Sequence, residues 1–153
     1  MIILLEGADG CGKTTLANKL VKDYGAVYHH CSVTDNIYQL HKKTVEACLA
    51  DNKRLHVIDR LYPSERVYSS VFRSGESYDT DHFATTFEHK LVWCNIPVAN
   101  FVEHHVKFAE REMYKTNMMD VYLAYQTYFD KHLPDYVYDY TSYTETMALE
   151  LGL

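Results

Sequence analysis

Eight consecutive residues near the start of the chain, Gly7-Ala8-Asp9-Gly10-Cys11-Gly12-Lys13-Thr14, carry its strongest chemical signal. They fit the pattern GxxxxGK followed by Ser or Thr. Glycines let successive backbone N–H groups curve around a phosphate without interference from a Cβ atom. Lys13 can then reach the β- and γ-phosphate oxygens, and the Thr14 hydroxyl can ligate Mg²⁺. A helix opening near Lys13 turns the positive end of its dipole toward the same anion. At ordinary residue frequencies the string arises by chance in well under about 1% of chains of this length. Asp59-Arg60, at the end of the apolar run Leu55-His56-Val57-Ile58, is a second candidate. Its carboxylate could hold Mg²⁺ directly or through water, and its guanidinium could clamp another phosphate bidentately.

The elements that must position these groups alternate between strand and helix. Apolar runs at 2–6, 26–28, 55–58, 91–94 and 135–139 read as strands. Helical patterns fall at 14–24, 35–51, 64–72, 80–88 and 144–151, and Gly25 stands where the first should end. Val102, Val106, Ala109 and Met113, then Met118, Tyr122, Tyr125 and Phe129, recur at helical spacing and read as core stripes. Apolar strands separated by amphipathic helices predict an α/β fold, with a five-stranded parallel sheet between two helical layers. In such a sheet, ligands bind at the carboxyl ends of the strands, where both the loop and Asp59-Arg60 would lie.

Length and composition exclude several other classes. The 153 residues suit one domain, 1–153, and 47% hydrophobic with 24% charged residues suits a packed core. No apolar run approaches the ~20 residues of a membrane span. The formal charge of −6, without a basic tail, disfavours binding to a nucleic-acid polymer. Cys11, Cys31, Cys48 and Cys94 form no CxxC pair and read as reduced core thiols, so a cytoplasmic location is expected. Nine histidines include His29-His30 and His104-His105, but no HExxH or finger spacing appears. Adjacent histidines diverge on either element, so no zinc site is expected.

Three stretches resemble the thymidylate kinase family of nucleoside monophosphate kinases, which share the P-loop NTPase fold. They are Glu6 to Thr15, with an acidic residue inside the loop; Asp59-Arg60-Leu61-Tyr62-Pro63-Ser64-Glu65-Arg66-Val67-Tyr68-Ser69, similar to that family's DRYxxSxxAY; and Val92-Trp93-Cys94-Asn95-Ile96-Pro97 with the later Asp120-Val121-Tyr122-Leu123-Ala124-Tyr125. The compact length is most like bacteriophage-encoded members. The resemblance implies transfer of the ATP γ-phosphate to a deoxynucleoside monophosphate, dTMP foremost, with Mg²⁺ as cofactor. Asp9, Gly10, Cys11, Gly12, Lys13, Thr14 and Thr15 would bind ATP, while Thr14 and Asp59 would organise the metal. Asp9 would align the acceptor sugar and Arg60 would hold its phosphate. Ser64 and Tyr68 would line the acceptor pocket, the Tyr68 ring taking the space of a ribose 2′-hydroxyl. Arg73 is a further phosphate contact, and Asp139-Tyr140-Thr141 would border the adenine. Tyrosine-rich helix faces could form a homodimer seam.

Members of that family take their catalytic arginine either from the loop or from a mobile lid. Gly10 occupies the loop position here, which implies a lid over about 107–118. Lys107, Arg111 and Lys115 could share one helical face, with Arg111 as the catalytic fork. Glu103 could instead pair with Lys107 on the surface. After the second strand, Tyr28-His29-His30-Cys31-Ser32 replaces the family's arginine-glutamate-proline segment, leaving base stacking to Tyr38 with Lys42 nearby. Glu65 could accept from thymine N3–H or from the cytosine amine, so a deoxycytidylate or broad deoxynucleotide kinase stays open. A deoxynucleoside kinase would normally place a glutamate after the second strand, where this chain has histidines and a serine. A GTPase would need an NKxD motif, which is missing, and a non-catalytic nucleotide-binding module would not need Lys13, Thr14 and Asp59 together.

Overall fold

The computed structural model describes residues 1–109, 117–142 and 146–153. Five strands, β1 (Ile2–Glu6), β2 (Val27–His30), β3 (His56–Asp59), β4 (Lys90–Cys94) and β5 (Tyr136–Tyr138), form one parallel sheet in the order β2-β3-β1-β4-β5. Every residue of β1 is buried, as expected of a strand with neighbours on both sides and helices on both faces. Its register pairs Leu4 with Ile58 and Leu5 with Asp59 on one side, and Leu5 with Val92 on the other. The chain runs from β1 toward the β2 edge and later crosses to β4 and β5. This reversal opens a crevice at the strands' carboxyl ends.

The helices are α1 (Lys13–Tyr24), α2 (Ile37–Ala50), α3 (Tyr62–Phe72), α4 (Thr80–Ala84), α5 (Val98–Ala109), α6 (Met118–Phe129) and α7 (Met147–Leu151). Gly25, at φ 65°, closes α1 with its N–H on Val21 O. The α2 helix starts two residues later than its pattern predicts because the Asn36 side chain accepts from Gln39 N and fixes the first turn. The α3 helix starts two residues earlier, since Pro63 fits a first turn, where no N–H is needed. The α4 helix stops at Ala84, short of the predicted 88; the Thr85 and Thr86 hydroxyls donate back to His82 O and Phe83 O.

The α6 stripe is core as expected, with Tyr122, Tyr125 and Phe129 buried. The α5 stripe requires correction. Val102 and Val106 are 43% and 65% exposed, and the inward residue is Phe101, one position out of phase, whose ring lies 4.4 Å from that of Tyr122. Met113 lies outside the described residues. All four cysteines are buried and unpaired with one another. Among the described residues no helix is long and apolar enough to cross a membrane.

Candidate active site

The loop between β1 and α1 has Gly7, Gly10 and Gly12 at φ 145°, 84° and 89°. At Gly7 the positive φ is matched by a close approach, because a Cβ would stand 2.2 Å from Cys94 O. Only glycine lets the loop lie directly against the end of β4. Lys13 begins α1 and is buried, its Nζ donating to Gly7 O at 2.8 Å and Ala8 O at 2.9 Å. Burial pulls the Lys13 ammonium below its ordinary range, and Arg60 adds to this, while Asp59 and Asp9 oppose it. The cation is thus stored against loop carbonyls, close to where a phosphate would replace them.

Asp59 ends β3 almost fully buried. Its Oδ2 accepts from Tyr28 OH at 2.9 Å and lies 3.4 Å from His30 Nδ1, both on β2. Its Oδ1 is buried with no hydrogen-bond partner. An unsatisfied buried carboxylate oxygen is costly unless something occupies it in the working state. Arg60 follows at φ 72°, the one non-glycine residue with positive φ among the described residues. Such a conformation costs about 1–2 kcal/mol and is characteristic of functional positions. It aims the guanidinium into an ion pair with Asp9 and over the Tyr68 ring, 4.8 Å from its centroid.

Two cavities meet at that ion pair. One, about 760 Å³, is lined by the loop and Thr14, Thr15, His30 and Asp59, with His104 and Tyr140 from later segments. The other, about 400 Å³, is lined by Ser64, Glu65, Tyr68, Phe72 and Arg73 of the α3 region and by the segment after β2. Asp9 and Arg60 belong to both.

No protein-family model matches the chain, and no curated protein does. Solved structures do. The YorR protein of Bacillus subtilis, in complex with phosphorylated GDP, superposes with a TM-score of 0.67 at 19% identity, over 94% of this chain and 88% of that one. Deoxyadenosine kinase from M. mycoides with bound dATP gives 0.60 at 13% identity, over 95% and 94%. Thymidylate kinase from Ehrlichia chaffeensis gives 0.53 at 16% identity, over 99% and 95%. The fold is that of the P-loop nucleotide kinases. Thus the predicted three-layer α/β/α arrangement is realised, with its five strands all parallel.

Within this nucleotide-kinase fold the predicted ATP-loop residues stand together. Asp9, Gly10, Gly12, Lys13, Thr14 and Thr15 line the larger cavity, while Cys11 is buried beneath them with its thiol pushed up to about 11 by burial. Ser64 reaches the smaller cavity, yet its hydroxyl donates to Glu6 Oε2 at 2.6 Å. Glu65 is also there and nearly buried; it accepts from Arg73 and from Ser77 N, at 2.6 and 2.7 Å, so its two oxygens already hold partners. Tyr38 instead packs on Tyr78 and Phe83, outside the cavity lining. Phe72, stacked on Tyr68 at 5.9 Å, supplies an aromatic wall in the cavity. Arg111 and Lys115 lie outside the described residues, and Lys107 donates to Glu103 at 2.6 Å.

Sequence reading missed His30, His104, Phe72 and buried His41 as cavity residues. His104 could have been suspected through Gly10, where a Cβ would come within 2.6 Å of its ring, but that proximity depends on how α5 folds back. His41 contacts Tyr78 OH at 2.6 Å, and burial lowers its pKa to about 4, leaving a neutral imidazole beside the smaller cavity.

Proposed function

We propose that the chain transfers the γ-phosphate of ATP to a deoxynucleoside monophosphate, with dTMP the favoured acceptor. The observation that carries this reading is the shared Asp9–Arg60 wall between a phosphate-loop cavity and a second, aromatic-walled cavity. Two phosphorylated ligands entering from opposite sides would meet there end to end, as in-line transfer requires. Lys13 would leave its loop carbonyls for the donor phosphates, and Arg60 would hold the acceptor phosphate. Thr14 and the unpartnered Asp59 Oδ1 suit Mg²⁺, which when bound with ATP neutralises charge on the phosphoryl oxygens. Tyr68 and Phe72 offer an apolar face to a deoxyribose and base. Because Glu65 is held by Arg73 and Ser77, its use in reading either thymine N3–H or the cytosine amine would require that network to open. Arg111 would supply further positive charge from a lid.

A second reading has a deoxynucleoside as acceptor. His30 beside Asp59 could serve as the base that such a reaction needs after β2. One panel separates the two: thymidylate, deoxycytidylate, other nucleoside monophosphates and the free deoxynucleosides, each with ATP and Mg²⁺, followed by ADP release and product identity. Turnover of dTMP but not thymidine supports the proposal. Turnover of free nucleosides alone replaces it with the second reading, and ADP release without any acceptor sinks both. For the metal, Asp59→Asn should raise the Mg²⁺ concentration giving half-maximal rate by about tenfold or more. An unchanged Mg²⁺ titration would remove Asp59 from that role.

A further inference from the structure

The sheet face opposite Asp59 brings together three donors that the phosphate chemistry does not use. Alternation along β2 turns Tyr28 and His30 toward Asp59 and turns His29 the other way, toward His56 of β3. Cys48, in the last turn of α2, completes the group. One ligand atom from each of His29, Cys48 and His56 lies within 4.8 Å of the others, and His56 and Cys48 are 2% and 1% exposed. We propose that these three residues bind a borderline-soft divalent cation, Zn²⁺ foremost, which clamps the edge strand β2 to β3 and α2.

Hydrogen bonding fixes which nitrogens are available. His56 Nε2 lies 2.8 Å from the Asp51 carbonyl oxygen, which only accepts, so this nitrogen carries the proton. His56 Nδ1 is then a lone pair, and it faces His29 Nε2 at 3.1 Å. A metal-bound histidine that anchors its other N–H on a backbone carbonyl is the usual arrangement around zinc. Bond lengths of about 2.0–2.1 Å to nitrogen and 2.3 Å to sulfur place tetrahedral ligand atoms about 3.3–3.6 Å apart. The two nitrogens are already near that separation. Half-buried His29, on the edge strand, is the member free to adjust. One thiol and two imidazoles suit zinc rather than Mg²⁺ or Ca²⁺, which prefer oxygen ligands. Linear spacing gave no sign of this cluster, because ligands from separate elements leave no short motif.

The full chain, freed of metal, should be titrated with Co²⁺ as the spectroscopic stand-in for zinc. The expected result is stoichiometric binding with a thiolate-to-cobalt charge-transfer band, displaced by Zn²⁺, and a higher melting temperature with Zn²⁺. Cys48→Ala should abolish the band. His29→Gln, at a half-buried position where the fold tolerates change, should weaken binding about 100-fold with an unaltered circular-dichroism spectrum. Absence of the band, or titrations of wild type and His29→Gln that coincide, would reduce the cluster to a hydrogen-bonded histidine pair and overturn the proposal.

Discussion

Lys13→Ala should lower phosphoryl transfer by about 10³-fold while the protein remains folded. The size follows from the position of the ammonium. It is buried against Gly7 O and Ala8 O, so it enters the reaction desolvated and already close to its target. Charge stabilisation from such a preorganised group exceeds what the same cation supplies in water. Loss of the side chain should leave stability nearly unchanged. Two hydrogen bonds disappear, but so does the cost of burying a cation, which is the main influence depressing the Lys13 pKa. The measurement pairs ADP release under saturating nucleotides with thermal melting. A variant within tenfold of the wild-type rate would remove Lys13 from the mechanism; a collapsed melting curve would show that it holds the loop together.

The phosphate-loop half of the candidate site was legible in the sequence because its pattern is local. Gly7 to Thr14 makes its cradle from consecutive backbone amides, and Asp59-Arg60 needs only to close a strand. The sheet was legible for a related reason, since buried parallel strands appear as unbroken apolar runs such as Ile2–Leu5. The second, aromatic-walled cavity depends on side chains that converge across the fold. His41, Tyr68 and Phe72 meet around one cavity only after α2 and α3 have packed, and no local spacing encodes that meeting. Tyr38 and His41 lie three residues apart on one helix and both pack on Tyr78 and Phe83, yet of the two only His41 lines the cavity. The α5 stripe failed for a similar reason. Helical spacing identifies a face but not which neighbour covers it, and Phe101 outweighs the smaller valines as the buried anchor.

Replacing Glu6 should produce the largest loss of stability. This carboxyl ends β1 in full burial, although the sequence marks it only as a strand terminus. It accepts from Leu61 N at 2.6 Å, Ser64 Oγ at 2.6 Å and Tyr125 OH at 3.1 Å. Those bonds fix the start of α3 and its contact with α6, and hence the backbone that sets Arg60 in its left-handed conformation. Glu6→Ala removes the acceptor from Leu61 N and from the Ser64–Tyr125 hydroxyl pair, whose members lie 2.7 Å apart and can still bond each other, so two donors are left without an acceptor. Each is worth about 1–3 kcal/mol, offset in part by release of a buried charge. The expected net loss is about 3 kcal/mol, read from urea denaturation midpoints. Glu6→Gln should cost nearer 1 kcal/mol, because its carbonyl still serves Leu61 N while the hydroxyls rotate to accept from its amide. A pH series adds an independent check. Burial pushes the Glu6 carboxyl above the ordinary 4.5, against the opposing pull of Ser64, Leu61, Arg60 and Lys13. The native state then holds this proton to higher pH than the unfolded chain does. Its stabilising effect is complete below the ordinary carboxylate value and is lost as pH rises through the raised native value. Wild-type stability should therefore fall relative to Glu6→Gln across that window. A wild-type advantage that grows with pH would mean that the three donors, with Arg60 and Lys13, outweigh burial and keep Glu6 ionised.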